Sequence, residues 1–481
     1  MAKIVHLYRY LRPSALDVPH GHLGLETSGG TALAGPAANP TFFTGFLASP
    51  EVAASALAAV ARVARSRYYE PSRSRALHVE RSGPSPLDPV VTCNGDRLRF
   101  ESFSGCCGVY ARLDVLSGAL DGEVHDRGTT NVDISEPLRR MLARVGGGDP
   151  LHLAVGPGEL AVATLDGSVV ERKVPLPQRW LRGFAELPLI LAGFEPRAEV
   201  SSAEVARFLG SVPRRSRASG ADWVMPAGRS MRQTAGPAPG AVCLPGPQRL
   251  EALVPLLPHA ATLRVYGPAA TTASPELASA WELELPGMRL VIALSPELRR
   301  GFSGEGAAGD ALAGTDVAAD ADLVDALLAF EPRVEVGELA DRSGLPVHRV
   351  RNALTQLGTS GKVGYDLAEA AYFHRELPYD PALVEPASPR LRSARALAES
   401  GAVRLQDGLA IVTVGDHAHR VGHTADGAAF CTCEWWAKYR GSRGSCTHVL
   451  AAGLARSGRS AAGGTRAAKA QPWPSGRRCR S

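Results

Sequence analysis

Apolar positions along this chain change period repeatedly, and each change predicts an element. Pro50–Arg65 (PEVAASALAAVARVAR) spaces its apolar residues as one helical face. Residues 90–103 read as strands around a turn at Asn94-Gly95, and Leu138, Leu142 and Val145 as a short helix. Residues 151–155 and 160–164 follow as a strand pair, with 169–174 a third strand. Residues 213–240, rich in small and basic residues, predict a linker or mobile loop. A folded pattern resumes at 250–257, 281–285 and 290–294 before a Gly- and Ala-rich break at 301–315. No internal repeat is visible.

The next segment changes to helices. Leu323, Leu327 and Phe330 share one face, and Val336, Leu339 and Ala340 begin a second helix. The turn Ser343-Gly344-Leu345-Pro346 leads into a third, in which Val347, Val350, Leu354 and Leu357 face a core. Residues 362–365 and 370–373 then predict a hairpin. Three helices and a hairpin over residues 319–378 resemble a winged helix-turn-helix domain. If that unit read DNA, Arg349, Asn352 and Gln356 on the open face of its third helix would carry the contacts. Its charge opposes that reading, with six basic against ten acidic residues, and a protein-docking role is the alternative.

The sharpest chemistry lies near the C-terminus, where Cys431 and Cys433, then Cys446 and His448, form CxC and CxH pairs twelve residues apart. Three thiolates and one imidazole make one of the usual closed structural zinc sets. On an extended strand, residues two apart share a face, so Cys431 and Cys433 can reach one ion while Thr432 points away. In mid-helix the same spacing separates side chains by roughly 200°, so Cys446 and His448 must enter a helix rather than lie within it. Ser445 and Thr447 are good N-cap types, and residues 449–456 (VLAAGLAR) predict the helix. Residues 409–414 and 419–423 predict two strands across Gly415-Asp416, giving a ββα unit.

This arrangement resembles the SWIM-type zinc finger over residues 401–456. The resemblance implies zinc held by Cys431, Cys433, Cys446 and His448, and a module associated with DNA binding or protein interaction. Four protein ligands leave no open position for water, so the metal is expected to be structural. The other cysteines, Cys93, Cys106, Cys107, Cys243 and Cys479, lack ligand spacing, and the vicinal pair at 106–107 reads as core rather than as a redox pair.

Length and charge sharpen the picture. A chain of 481 residues exceeds one ordinary core. The expected class is therefore a multidomain α+β protein: an α+β domain over 1–212, a linker and second α+β region over 213–310, the winged-helix-like unit, the finger, and a basic disordered tail over 457–481. With no apolar run of membrane length and no secretory leader in view, a cytoplasmic location is expected. The bias to Ala, Gly, Pro and Arg suggests a high-GC bacterial genome.

The net charge of +5 divides unevenly: from Arg390 onward there are fifteen Lys and Arg against five Asp and Glu, so the remainder carries −5. Within the finger's loop, Lys438, Arg440 and Arg443 interleave with Trp435, Trp436 and Tyr439. Such residues contact phosphates and stack on bases, or else the tryptophans pack a mini-core inside a solvated basic shell. No phosphate loop, HExxH, GxSxG or dinucleotide fingerprint is present, so no catalytic residue is assigned and the protein is expected to be non-enzymatic. Two functions follow. One is DNA binding through the finger and basic C-terminal region. The other is a protein-interaction scaffold, which the resemblance would pair with a MoxR-type ATPase and a von Willebrand A-domain partner.

Overall fold

Antiparallel sheets frame the chain before residue 300 in the computed structural model. The structure describes residues 41–68, 89–211, 221–297, 299–304, 318–378, 389–406, 408–424, 429–441 and 444–464, with short strand pieces between 15 and 36. The first half runs β1 (Phe43–Leu47), α1 (Pro50–Arg65), β2 (Val90–Cys93), β3 (Arg97–Phe103), β4 (Val109–Leu116), β5 (Leu120–Val124) and β6 (Gly128–Asn131). It closes with α2 (Glu136–Leu142), β7 (His152–Val155), β8 (Glu159–Thr164) and β9 (Gly167–Arg172). Helix α3 (Gln178–Leu191) leads to β10 (Glu195–Ser201), α4 (Ser202–Ser211), β11 (Asp222–Ala227), β12 (Ser230–Thr234) and β13 (Val242–Leu244). After a 3-10 stretch at Pro247–His259 come β14 (Thr262–Gly267), β15 (Ser279–Leu285) and β16 (Met288–Leu294).

The two halves repeat one plan. In each, the strand before a helix pairs with the first strand of a later three-stranded meander: β1 with β7–β8–β9, and β10 with β14–β15–β16. The meander strand β16 then pairs along its whole length with β4, from Val109↔Leu294 to Val115↔Met288. This makes an eight-stranded sheet of order β6-β2-β3-β4-β16-β15-β14-β10. The expected division between residues 212 and 213 therefore does not separate two bodies, because one ladder crosses it. Nor are residues 221–240 a linker: β11 and β12 form a hairpin turning at Gly228, where φ is +64°, and Trp223 and Val224 are buried. Residues 212–220 lie outside the described residues.

The large sheet is covered on both faces. Leu98, Phe100, Leu113, Leu290 and Ile292 point to the side of α1, within the main apolar core. The opposite face carries charge in cross-strand rows, one running Arg99↔Asp114↔Arg289↔Glu284 across β3, β4, β16 and β15. At one end this face turns apolar, where Phe103, Tyr110, Trp180, Phe184 and Phe302 pack together beneath α3.

Residues 319–378 hold the expected order of elements: α5 (Ala318–Asp325), α6 (Val336–Ser343), α7 (Val347–Thr359), β17 (Val363–Asp366) and β18 (Ala371–His374). Val324, Leu339, Val350, Leu354, Leu357 and Val363 form its core. The hairpin β17–β18 lies on the charged face of the large sheet, and α7 packs on α3 with Gly358 beside Pro188. Last come α8 (Pro389–Glu399), β19 (Val403–Gln406), β20 (Leu409–Val414), β21 (His417–His423), β22 (Ala429–Cys431), α9 (Glu434–Tyr439) and α10 (Thr447–Gly464). The last unit is thus larger than the expected ββα: four antiparallel strands in chain order, with α8 packed on α10 through Ala394, Leu450 and Ala451. Helix α10 continues past Arg456 to Gly464, so the segment expected to be disordered from Ser457 begins as helix, and the alanines at 461 and 462 are strong helix formers that suit its continuation. No helix among the described residues is long and apolar enough to cross a membrane.

Candidate metal centre

Four short elements bring the CxC and CxH pairs together. Cys431 ends β22, held there by pairing with Val421 of β21. Cys433 is the N-cap of α9 in an extended conformation (φ −80°, ψ 157°), and its Sγ accepts the Trp436 N–H at 3.4 Å. Arg440 closes α9 in the left-handed region (φ 45°), followed by Gly441 (φ 81°), and this turns the chain back towards the second pair. Cys446 precedes α10 and its carbonyl accepts the Leu450 N–H at 3.1 Å, so Cys446 itself occupies the capping position expected of Ser445 or Thr447. His448 lies in the first turn, as the spacing required.

The ligand atoms of Cys431, Cys433, Cys446 and His448 lie within 4.8 Å of one another, and Cys431 Sγ is 3.7 Å from His448 Nδ1. Donors around a tetrahedral ion at 2.0–2.3 Å would stand about 3.3–3.8 Å apart, so a small contraction closes the set on a metal. All three cysteines are buried against Ala410, Val412, Val421 and Ala452. The thiols are unequal as acids: a hydrogen bond from Cys431 lowers Cys446 to about 4, while the same bond raises Cys431, and burial raises Cys433. A dication among them would favour ionisation of all three. On the rim, the His448 ring stacks on His419 at 4.1 Å, which orients the imidazole.

The loop between the pairs carries the expected basic residues. Lys438 and Arg440 are exposed, with Lys438 Nζ 5.1 Å from the Tyr439 ring; Arg443 lies outside the described residues. Trp435 and Trp436 are half-buried and pack against the cysteine cluster, so the mini-core reading describes one side of each ring. The exposed side of Trp435 meets Tyr439 at 5.0 Å and the Arg390 guanidinium at 5.0 Å. Arg390 is on α8, outside the segment the spacing marked, and only its position in the fold brings it here.

The third-helix residues are differently placed. Arg349 is held by Asp320 of α5 through Nε–Oδ2 (2.7 Å) and Nη2–Oδ1 (2.5 Å) bonds. Asn352 is exposed, and Gln356 is half-buried with its carbonyl oxygen unbonded. None is near the Cys/His cluster in the described contacts. The cysteines at 106 and 107 are buried core residues, as expected; burial pushes Cys107 up to about 12.

A second constellation went unpredicted. Asp366, at the end of β17, accepts hydrogen bonds from Arg99 (2.9 Å) and Arg289 (3.1 Å) and lies 3.1 Å from Arg112 Nη2. Asp114 faces the same guanidiniums from β4, and Arg375, just after β18, bonds Glu101. The Phe373 ring lies 4.0 Å below the Arg99 guanidinium. Asp366 is nearly fully buried; burial alone would raise its pKa, but Arg112, Arg99 and Arg289 hold it well below the usual carboxylate range.

No protein-family model matches this chain, and no curated protein matches it. Among solved structures it is similar to proliferating cell nuclear antigen from Entamoeba histolytica, at 9% identity and a TM-score of 0.33, over 53% of this chain and 99% of that one. It is also similar to A. fulgidus PCNA bound to the C-terminal region of FEN-1, at 11% identity and a TM-score of 0.34, over 53% of this chain and 98% of that one. At that level the likeness says nothing about what this chain binds.

Proposed function

We propose that this chain is a zinc-binding SWIM-type finger protein, non-enzymatic, that binds DNA through the finger and the basic C-terminal region. The observation that carries the reading is the convergence of three buried thiols and one imidazole within 4.8 Å. That donor set suits zinc, and four protein ligands leave it no open position for chemistry. DNA follows from the charge beside it: Lys438 on α9 and Arg440 at its C-cap stand exposed between the two ligand pairs, where they reach phosphates without disturbing the metal. The winged-helix-like unit takes no direct part in this reading, since Asp320 occupies Arg349.

The acidic balance of residues 319–378 favours a second reading, a scaffold whose partner is a protein. The two separate in one titration. Purified full-length protein is assayed for zinc and then for DNA binding across salt, beside a chain ending at Gly464 and the Lys438→Ala/Arg440→Ala variant. The DNA reading expects one zinc per chain, binding that survives tail removal, and a salt slope reduced in the variant by about 1.4–1.8 for two lost phosphate contacts. Binding that disappears with the tail, and a slope untouched by the variant, would overturn it in favour of the scaffold.

A further inference from the structure

The finger does not face solvent alone. Between it and the segment after β16 lies a cavity of about 1190 Å³, wider than the roughly 300–1,000 Å³ of small-ligand sites. Arg299 and Arg300 line one wall, from the turn that follows β16; both are exposed. Arg390, Trp435, Tyr439 and His419 line the other, from the finger and its leading helix. The Arg390 guanidinium and the Tyr439 ring each lie 5.0 Å from the Trp435 ring, the two rings tilted by 50°, so the finger's wall is aromatic, with a cation set against it. Two acids share the lining: Glu297 is turned to its own turn, accepting the Arg299 backbone N–H at 3.0 Å, and Glu434 is exposed beside Trp435, so the arginines of the cavity outnumber its carboxylates by three to two. Arg300 also has a positive neighbour outside the cavity lining. On α3, Arg182 is held below its ordinary value first by burial and then by two positive neighbours, Arg179 and Arg300. Like charges gathered along one path suit a polyanion that neutralises them together.

We infer that this cleft is a binding groove for single-stranded DNA, with phosphates on Arg299 and Arg300 and bases stacked on the Trp435–Tyr439 wall. The inference rests on the DNA reading above and adds which strand form is bound and by which residues. Duplex DNA keeps its base faces stacked inside the helix, so a groove whose recognition surface is aromatic selects unpaired bases. Guanidiniums on the opposite wall take the backbone while the bases turn towards the rings. The finger thereby needs the sheet-bearing body to complete its site, and neither wall is sufficient alone.

The test uses full-length, zinc-loaded protein and a labelled oligo(dT) against a duplex of equal length, read by fluorescence anisotropy. The probe variants are Arg299→Glu/Arg300→Glu, on the body side and remote from the metal ligands, and Tyr439→Ala, with zinc content measured for each. The expected result is a clear preference for the single strand, at least roughly tenfold weaker binding in Arg299→Glu/Arg300→Glu, and a salt slope lower by about 1.4. Tyr439→Ala should weaken oligo(dT) binding by roughly fivefold or more, since a stacked base contributes about 1–3 kcal/mol. Normal binding in Arg299→Glu/Arg300→Glu, with loss confined to Lys438→Ala/Arg440→Ala, would overturn the groove and leave the finger's DNA binding standing. Equal affinity for duplex and single strand would overturn the groove as well. No binding of either form by the parent would overturn both readings together.

Discussion

Replacing Asp366 with Asn tests whether charge or shape holds the hairpin β17–β18 on the large sheet. The side chain is 1% exposed and sits among Arg99, Arg112 and Arg289, whose nearest nitrogens are 2.9–3.1 Å away. Asn fills the same volume, and its carbonyl can still accept the Ala368 and Glu369 N–H bonds that shape the following turn. What disappears is one negative charge, leaving Asp114 and the partly exposed Glu369 to balance the guanidiniums around it. Removing one partner from a buried pair costs about 3–5 kcal/mol. At roughly 2–3 °C per kcal/mol for a body of this size, Tm should fall by about 6–15 °C. Glu282 supplies the control. It lies in the same network, but burial raises its pKa and its Oε2 has no hydrogen-bond partner, so Glu282→Gln should cost little or stabilise. The two residues also respond oppositely to pH. Asp366 is depressed, so its contribution is full above the unfolded value of about 3.9 and is lost as pH falls towards the folded one, where parent and Asp366→Asn should converge. Glu282 is elevated, so its ionisation costs stability as pH rises above about 4.3, and Glu282→Gln should gain on the parent there. Scanning calorimetry between pH 3 and 8 reads the Glu282 trend and the onset of the Asp366 one. A parent-like melting curve for Asp366→Asn at neutral pH, or an equal loss in Glu282→Gln, would refute the reasoning.

Two further outcomes follow from the geometry. Cys446→Ser or His448→Ala should abolish stoichiometric metal binding and expose the chain after Gly401 to protease, because metal affinity and local folding are one free energy in such a site; parent-like metal content and proteolysis would contradict this. Gly301→Ala should destabilise by about 2–4 kcal/mol, combining overpacking with a left-handed backbone at φ +54°, since a Cβ there would collide with the Cys107 carbonyl oxygen that Phe302 N–H also uses; an unchanged thermal melt would count against it.

Sequence periodicity located many elements, though not β4, α3 or β10, because local burial follows local pattern. Helix α1 has the expected bounds, the segments read as strands at 151–155 and 160–164 overlap β7 and β8, and the folded pattern at 281–285 falls within β15. The Cys/His cluster was legible for a different reason: a metal-binding set demands particular atoms within a short span, and spacing alone shows whether a strand or helix start can present them. Misreadings came where composition stood in for contact. Residues 213–240 look like a linker because they are rich in small and basic residues, yet Trp223 and Val224 have neighbours to pack on in β13 and elsewhere that no local window contains. The repeated plan of the two halves is invisible for a similar reason, since it consists of which strand pairs with which and places no demand on residue identity. Arg390 and the Arg299–Arg300 turn are brought to one cleft across about ninety residues of chain by the fold, a distance at which neither signals the other.

The charged face of the large sheet shows most clearly what alternation conceals. In RLRFESF, Leu98 and Phe100 alternate with Arg97, Arg99 and Glu101, which is the pattern of a strand with one face in water. Every residue of that strand is nevertheless buried, because a hairpin more than 260 residues later covers the polar side. An apolar cover would leave these guanidiniums and carboxylates without partners, so whatever covers this face must carry complementary charge at fixed positions. Asp366 and Arg375 do so at opposite ends of the hairpin, on Arg99 and Glu101 respectively. A slip of one residue along β17 would replace Asp366 with Tyr365 or Leu367 opposite three guanidiniums and turn its side chains to the other face. The apolar contacts at Phe373, Leu367 and Leu377 supply adhesion in several registers, whereas the ion pairs permit one. Burying charge here is therefore the means by which a broad, sticky contact becomes a unique one, and it fixes residues 319–378 on the body whatever the C-terminal unit binds.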